Sequence, residues 1–292
     1  MSEKEITQAG KIASQVKVFA KSIIKKDILL LEIAEKIENK IIELRGKPAF
    51  PVNLSINEIA AHYTPTYDDK TTAYGLLKID LGVHVNGWVA DTSFSIYLEN
   101  SEKNKKLIEA SKKALENAEK IINSEITLSE IGKEISKTIN SYGFNPIVNL
   151  TGHSIEQYNL HSGLSISNID NKSNIKLGEG LFAIEPFATD GKGKIYDGKT
   201  SGIYSLIHPK NTRSPLSREI LDYIVNEFSN LPFCSRWIIK KFGTKSLIAL
   251  KQLEQEGILH QYHQLIEVSK GIVSQAENTF LIKKDKVINT SK

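Results

Sequence analysis

Two spacings of apolar residues alternate along the chain. Residues 7–24 and 27–44 carry the three- and four-residue steps of amphipathic helices. In the second, Leu29/Leu30, Ile33, Ile37 and Ile41 form one stripe before Gly46 and Pro48 end it. Residues 74–98 change to a period of two and predict a strand hairpin. Ser101 then opens a helix with Leu107/Ile108, Leu115, Ala118 and Ile121/Ile122 on one face. Thr127-Leu-Ser-Glu130 reads as a capping box opening another, with Leu128, Ile131, Ile135 and Ile139 inward and Gly143 as its stop. Short strands are expected at 147–150, 181–187 and 276–283. Between the last two, 215–256 reads as three consecutive helices, at 215–228, 233–242 and 244–255, followed by extended chain in the manner of a winged helix. The fold class is α+β.

At 292 residues the chain can bury a large core, and 40% hydrophobic with 25% charged residues is ordinary for a globular protein. The single Cys234 excludes an intramolecular disulfide and fits a reducing, cytoplasmic compartment. No signal peptide opens the chain, and its longest apolar runs are too short to span a bilayer. The formal charge of +4 permits loose, transient association with ribosomes. No aromatic-and-basic signature supports specific nucleic-acid binding. A monomer is expected.

The hairpin carries the first candidate chemistry. Asn86-Gly87 between alternating apolar residues signals a two-residue type I′ turn. Val85 then faces Trp88, Asp80 faces Ser93 and Gly82 faces Asp91. Asp80 and Asp91 fall on one side of the ribbon as diagonal neighbours, with Cα atoms roughly 7–8 Å apart. A lone pair of strand aspartates is more often simply solvated. Further groups change that balance: His153 and His161 in a Gly-punctuated stretch, Glu185 inside the apolar run Leu181-Phe-Ala-Ile-Glu-Pro-Phe187, and Glu277 beside another alternating strand. An unpaired carboxylate buried in an apolar strand costs several kcal/mol, and a metal ion offsets it. Four carboxylates and one imidazole suit Mn, Fe, Co or Zn, and two such ions about 3.5–4 Å apart would clamp a hydrolytic displacement.

The order Asp, Asp, His, Glu, Glu resembles that of the metal ligands in the methionine aminopeptidase and prolidase family. Four stretches carry the likeness: Pro48–Pro51 through Ala61-His62-Tyr-Thr-Pro65, the 80–91 hairpin, Gly152-His153 through His161-Ser-Gly163, and Ala183-Ile-Glu185. The helical segment after Gly193 is similar to the insertion that separates type II (archaeal-type) methionine aminopeptidases from type I. The resemblance implies a pita-bread (creatinase/aminopeptidase) fold. Residues 1–194 and 271–292 would form the catalytic domain, and 195–270 a helical, winged-helix-like insertion. It implies two divalent ions, with Asp80 chelating one, Asp91 and Glu277 bridging both, and His153 with Glu185 completing the other. Water activated between them would attack the bond after the N-terminal methionine of nascent polypeptides, with Glu185 shuttling the proton. His62 and His161 would contact the substrate and stabilise the tetrahedral centre, while Phe50 and Tyr262 would line the methionine pocket. The substrate's free α-amine would bind a metal, restricting cleavage to the first residue. Two departures, Pro186 after Glu185 and Asn278 in place of a histidine after Glu277, remove no ligand and bear on tuning.

Three rival readings are weaker. Gly193-Lys-Ile-Tyr-Asp-Gly-Lys-Thr200 satisfies the P-loop pattern, but the β-branched, Gly-broken stretch after it predicts extended chain where a phosphate-binding helix should begin. A non-catalytic relative serving as a ribosomal interaction protein would be expected to lack metal ligands, and all five are present. A prolidase-type enzyme would carry a large further N-terminal domain, for which the roughly seventy residues before the hairpin leave no room.

Overall fold

The computed structural model describes residues 1–292, the whole chain. It contains seven α-helices: α1 (Glu3–Ile23), α2 (Leu30–Glu43), α3 (Glu102–Ile121), α4 (Leu128–Ser141), α5 (Pro215–Phe228), α6 (Ser235–Phe242) and α7 (Ser246–Gln255). No helix is long and apolar enough to cross a membrane.

The first sheet is built on the hairpin Leu76–Val85/Trp88–Tyr97, to which Lys47–Pro48 and Asn53–Ile56 add as antiparallel partners of its first strand. The expected register holds, with Val85 opposite Trp88, Asp80 opposite Ser93 and Gly82 opposite Asp91. Its cause is the turn: Asn86 and Gly87 both have positive φ, 48° and 82°, the geometry that a two-residue I′ connection demands. α1 and α2 lay Val16, Ile33, Ile37 and Ile41 against Leu54, Leu81 and Val83 of this sheet.

The second sheet runs Lys286–Asn289, Asn278–Lys283, Gly180–Ile184, Thr151–Ile155, Ser165–Ser167. α3 and α4 cover it, burying Leu107, Ile131 and Ile135 with Phe280 and Ile282. Thr127 and Glu130 form the full capping box at the start of α4, and Gly143 follows that helix at φ 80°. A third sheet, Phe233–Cys234, Ile195–Leu206, Leu259–Glu267 and Ile59–Ala61, carries α5–α7 on its side. Those helices close a small core of their own around Ile220, Phe233, Leu250 and Leu253.

Several expected boundaries shift. α1 starts at Glu3, with Glu3 and Glu5 acidic in its first turn. α2 starts only at Leu30, because Asp27 adopts φ 66° and Leu29 pairs with Thr72. The strand expected at 147–150 forms instead at Thr151–Ile155. The strand expected at 181–187 breaks at Glu185-Pro186, where proline has no N–H to donate. That at 276–283 begins at Asn278, leaving Glu277 as an isolated bridge to Ser93. Phe233 and Cys234 pair with Ile203 and Tyr204, so the middle helix of the trio begins at Ser235. The P-loop-like segment is a strand from Ile195 onward, paired with Leu259–Glu267, and it runs on to Leu206 with no helix starting directly after Thr200.

Candidate metal and substrate site

The two main sheets meet along one seam, and the candidate residues lie on it. Asp80 and Asp91 come from the hairpin, His153 from Thr151–Ile155, Glu185 from the proline break, and Glu277 from the bridge between sheets. All five line one cavity of about 350 Å³. Phe50, His62, His161 and Tyr262 line the same cavity, so every residue singled out from the sequence comes together there.

The donor set is assembled for a cation. Ligand atoms of Asp91, His153 and Glu277 all lie within 4.8 Å of one another. His153 Nε2 stands 3.6 Å from Asp91 Oδ2 and 3.7 Å from Glu185 Oε1, too far for hydrogen bonds and close enough to share an ion. Asp80 Oδ1 and Asp91 Oδ1 are buried without any hydrogen-bond partner. No lysine or arginine forms a direct ion pair with these acids; Lys17 acts on Glu277 only from a distance, and four carboxylates remain with one imidazole among them. Burial pushes the Asp80 carboxyl up to about 7. Burial, then repulsion among the neighbouring carboxylates, raises Asp91, Glu185 and Glu277 well above the usual carboxylate range. Burial holds His153 neutral, with its pKa lowered to about 3. Neutral imidazole and carboxylate oxygens are the ligands that intermediate divalent ions take, so these residues fit a metal centre.

The other histidines differ in place. His161 packs edge-on against His153, ring centres 4.3 Å apart, and burial lowers its pKa. His62 sits at φ 63°, a strained conformation for a residue with a Cβ. Its Nδ1 lies 3.2 Å from the His263 carbonyl, which can only accept. Nδ1 therefore carries the proton and Nε2 is left as an acceptor. His62 also packs edge-on against Tyr262, 5.5 Å between ring centres. Phe50 lies over Gly82: a Cβ there would come within 2.3 Å of the ring, so the hairpin needs glycine opposite Asp91 to seat this wall of the cavity.

Sequence reasoning missed Asn53, Leu160, Ile203 and Pro232, which also line the cavity. Asn53 stands directly opposite Asp80 across the sheet. Pairing of remote strands places it, and no local motif marks it. Ile203 and Pro232 arrive from the third sheet and the turn before α6.

Comparison with known proteins agrees with this geometry. The pattern of metallopeptidase family M24 matches residues 4–224. The chain is 45% identical to the methionine aminopeptidase of Pyrococcus abyssi, with 100% of both chains covered. It is 44% identical to that of Methanocaldococcus jannaschii over 99% of this chain and 98% of the relative. Among solved structures, a thermophilic Arx1 superposes with a TM-score of 0.84 at 17% identity, covering 99% of this chain and 91% of that one. The methionine aminopeptidase of Thermotoga maritima superposes with a TM-score of 0.72 at 19% identity, covering 100% and 98%. These likenesses show the pita-bread fold, and with the full-length archaeal matches they establish that the chain belongs to metallopeptidase family M24.

Proposed function

We propose that this protein is a cytoplasmic methionyl aminopeptidase that removes the initiator methionine from nascent polypeptides with two divalent ions. The observation that carries the reading is the convergence of Asp80, Asp91, His153, Glu185 and Glu277, with the Asp80 and Asp91 Oδ1 atoms lacking any hydrogen-bond partner, in a cavity walled by Phe50 and Tyr262. The 45% identity to an enzyme of that name supports the substrate.

Asp80 would hold one ion, His153 and Glu185 the other, with Asp91 and Glu277 shared. When bound, the ions would lower the pKa of water and polarise the scissile carbonyl. The remaining work falls to the chain. Glu185, at the open end of its strand, accepts the proton of the attacking water and passes it to the departing amine. His161 and His62 line the same cavity and would contact the substrate there; burial lowers the pKa of both rings, which favours hydrogen bonding without added charge. Residues 195–270 act as an insertion that brings Ile203, Pro232 and Tyr262 to the methionine pocket. The absence of a cysteine pair, with Cys234 buried, suits a reducing cytoplasm.

Release of free methionine from a Met-Gly-x peptide, before and after exhaustive chelation, tests the proposal. Methionine release that stops on chelation and returns with Mn²⁺ or Co²⁺ is the expected result. Undiminished release from protein shown metal-free by elemental analysis would overturn it.

A further inference from the structure

Behind the ligand-bearing strands, on the side facing α1, one half-buried ammonium joins elements that the metal site needs to hold together. Lys17 Nζ donates to Thr92 Oγ1 at 3.0 Å, to Asn278 Oδ1 at 3.1 Å and to the Ser291 carbonyl at 2.7 Å. Thr92 follows Asp91 in the first sheet, and Asn278 follows Glu277 in the second. Strands alternate their side chains, so when the carboxylates face the cavity their neighbours face α1.

The seam at this point is weakly tied by backbone. Ser93 and Glu277 exchange two long hydrogen bonds, 3.3 and 3.2 Å, as an isolated bridge. Side chains supply the rest: Thr279 Oγ1 bonds both backbone groups of Asp91, and Thr92 Oγ1 donates to the Glu277 carbonyl at 2.9 Å. Lys17 grips both strands with a single group and adds the C-terminal tail. It is not exchanged for a carboxylate partner, since all three acceptors are neutral oxygens. Asn278, the residue that departs from the histidine of the family pattern, is one of those acceptors.

We propose that Lys17 is a positioning residue for the metal centre: its ammonium sets the spacing of the strands bearing Asp91 and Glu277, and thereby the affinity for the ion these carboxylates share. The inference rests on those two residues being ligands. Groups that orient metal ligands from behind typically contribute 10–100-fold in metal affinity, and a loss of about that size is expected here.

The test is titration of chelated protein with Mn²⁺ by calorimetry, alongside melting of the metal-free protein. Lys17→Met should weaken Mn²⁺ binding by roughly 10–100-fold and shrink the rise in melting temperature that Mn²⁺ induces. Lys21→Met, one turn along α1 where the ammonium lies over the Phe94 ring, should keep affinity within about twofold. Wild-type affinity in Lys17→Met, with or without a fall in metal-free stability, overturns the proposal. An equal loss in Lys21→Met overturns it too, because general charge near the carboxylates would then suffice. Should Lys17→Met not fold, Lys17→Gln, whose side chain is shorter and has no ammonium to donate to all three acceptors, must weaken binding several-fold, or the idea fails. If wild-type protein itself takes up no Mn²⁺, the failure belongs to the functional reading and not to Lys17.

Discussion

Replacing Glu38 by alanine should strip the largest single polar contribution at the junction between α2 and α6. Glu38 is 5% exposed and Arg236 is 4% exposed. Arg236 Nη1 and Nη2 donate to the two carboxylate oxygens at 2.7 and 2.8 Å, a fork-on-fork pair. The same carboxylate accepts from Trp237 Nε1 at 2.9 Å and from the Val52 amide at 3.3 Å. In Glu38→Ala the guanidinium keeps only Nε donating to the Pro65 carbonyl, 3.1 Å away, and remains charged and buried. Breaking one side of a buried pair typically costs 3–5 kcal/mol, so a loss of about 4 kcal/mol is expected. At roughly 2–3 °C per kcal/mol for a chain of this size, the melting temperature should fall by about 8–12 °C. Function should follow, because Val52 precedes Asn53, the neighbour of Asp80, and the Pro232 wall of the cavity precedes α6. KM for methionyl peptides should therefore rise. Calorimetric melting and urea unfolding of Glu38→Ala, Arg236→Met and Glu38→Leu/Arg236→Met provide the assay. The double variant should recover most of the lost stability, since removing both charges leaves no unpaired ion. A Glu38→Ala protein melting within about 2 °C of wild type, or a double variant as unstable as the two single losses added, would refute the reasoning.

Two further predictions concern the site and its flank. His153→Ala should empty one metal position, whereas His161→Ala should keep metal content and lower single-turnover methionine release by roughly 10²–10⁴-fold; metal stoichiometry for both variants decides, and reversed outcomes would exchange the two roles. Glu267 is fully buried where the third sheet rejoins the rest of the chain; burial alone would raise its pKa, but donation from Gly271, Ser269 and nearby backbone amides outweighs this and holds it below the ordinary 4.5. A depressed carboxylate stabilises the fold above its unfolded pKa and loses that contribution as pH falls through the folded value. The stability gap between wild type and Glu267→Gln, about 2–3 kcal/mol at pH 7, should accordingly narrow from about pH 4.5 downward in urea titrations. A gap independent of pH would show that shape, not charge, makes this contribution.

Local stereochemistry made much of this protein legible in advance. A two-residue turn fixes how many residues oppose one another, so Asn86-Gly87 alone placed Asp80 and Asp91 on one face. The same short range covers the Thr127–Glu130 capping box and the faces of α2, α3 and α4, which depend on residues three or four apart. A carboxylate inside an apolar strand is anomalous without a cation, which marked Glu185 and Glu277, and the resemblance of the order Asp, Asp, His, Glu, Glu to a family's metal ligands completed the set of five. Tertiary structure alone decided the rest. Whether 147–150 or Thr151–Ile155 joins the second sheet depends on pairing with Gly180–Ile184 and Ser165–Ser167, which local periodicity does not register. The breaks that set Glu185 and Glu277 at strand ends, the facing of Asn53 with Asp80, and the contacts of Lys17 on α1 with Asn278 and of Arg236 on α6 with Glu38 likewise join segments far apart in the chain. Such contacts are selected by burial and by the need to satisfy every buried polar group, conditions that exist only once remote strands and helices have closed on one another.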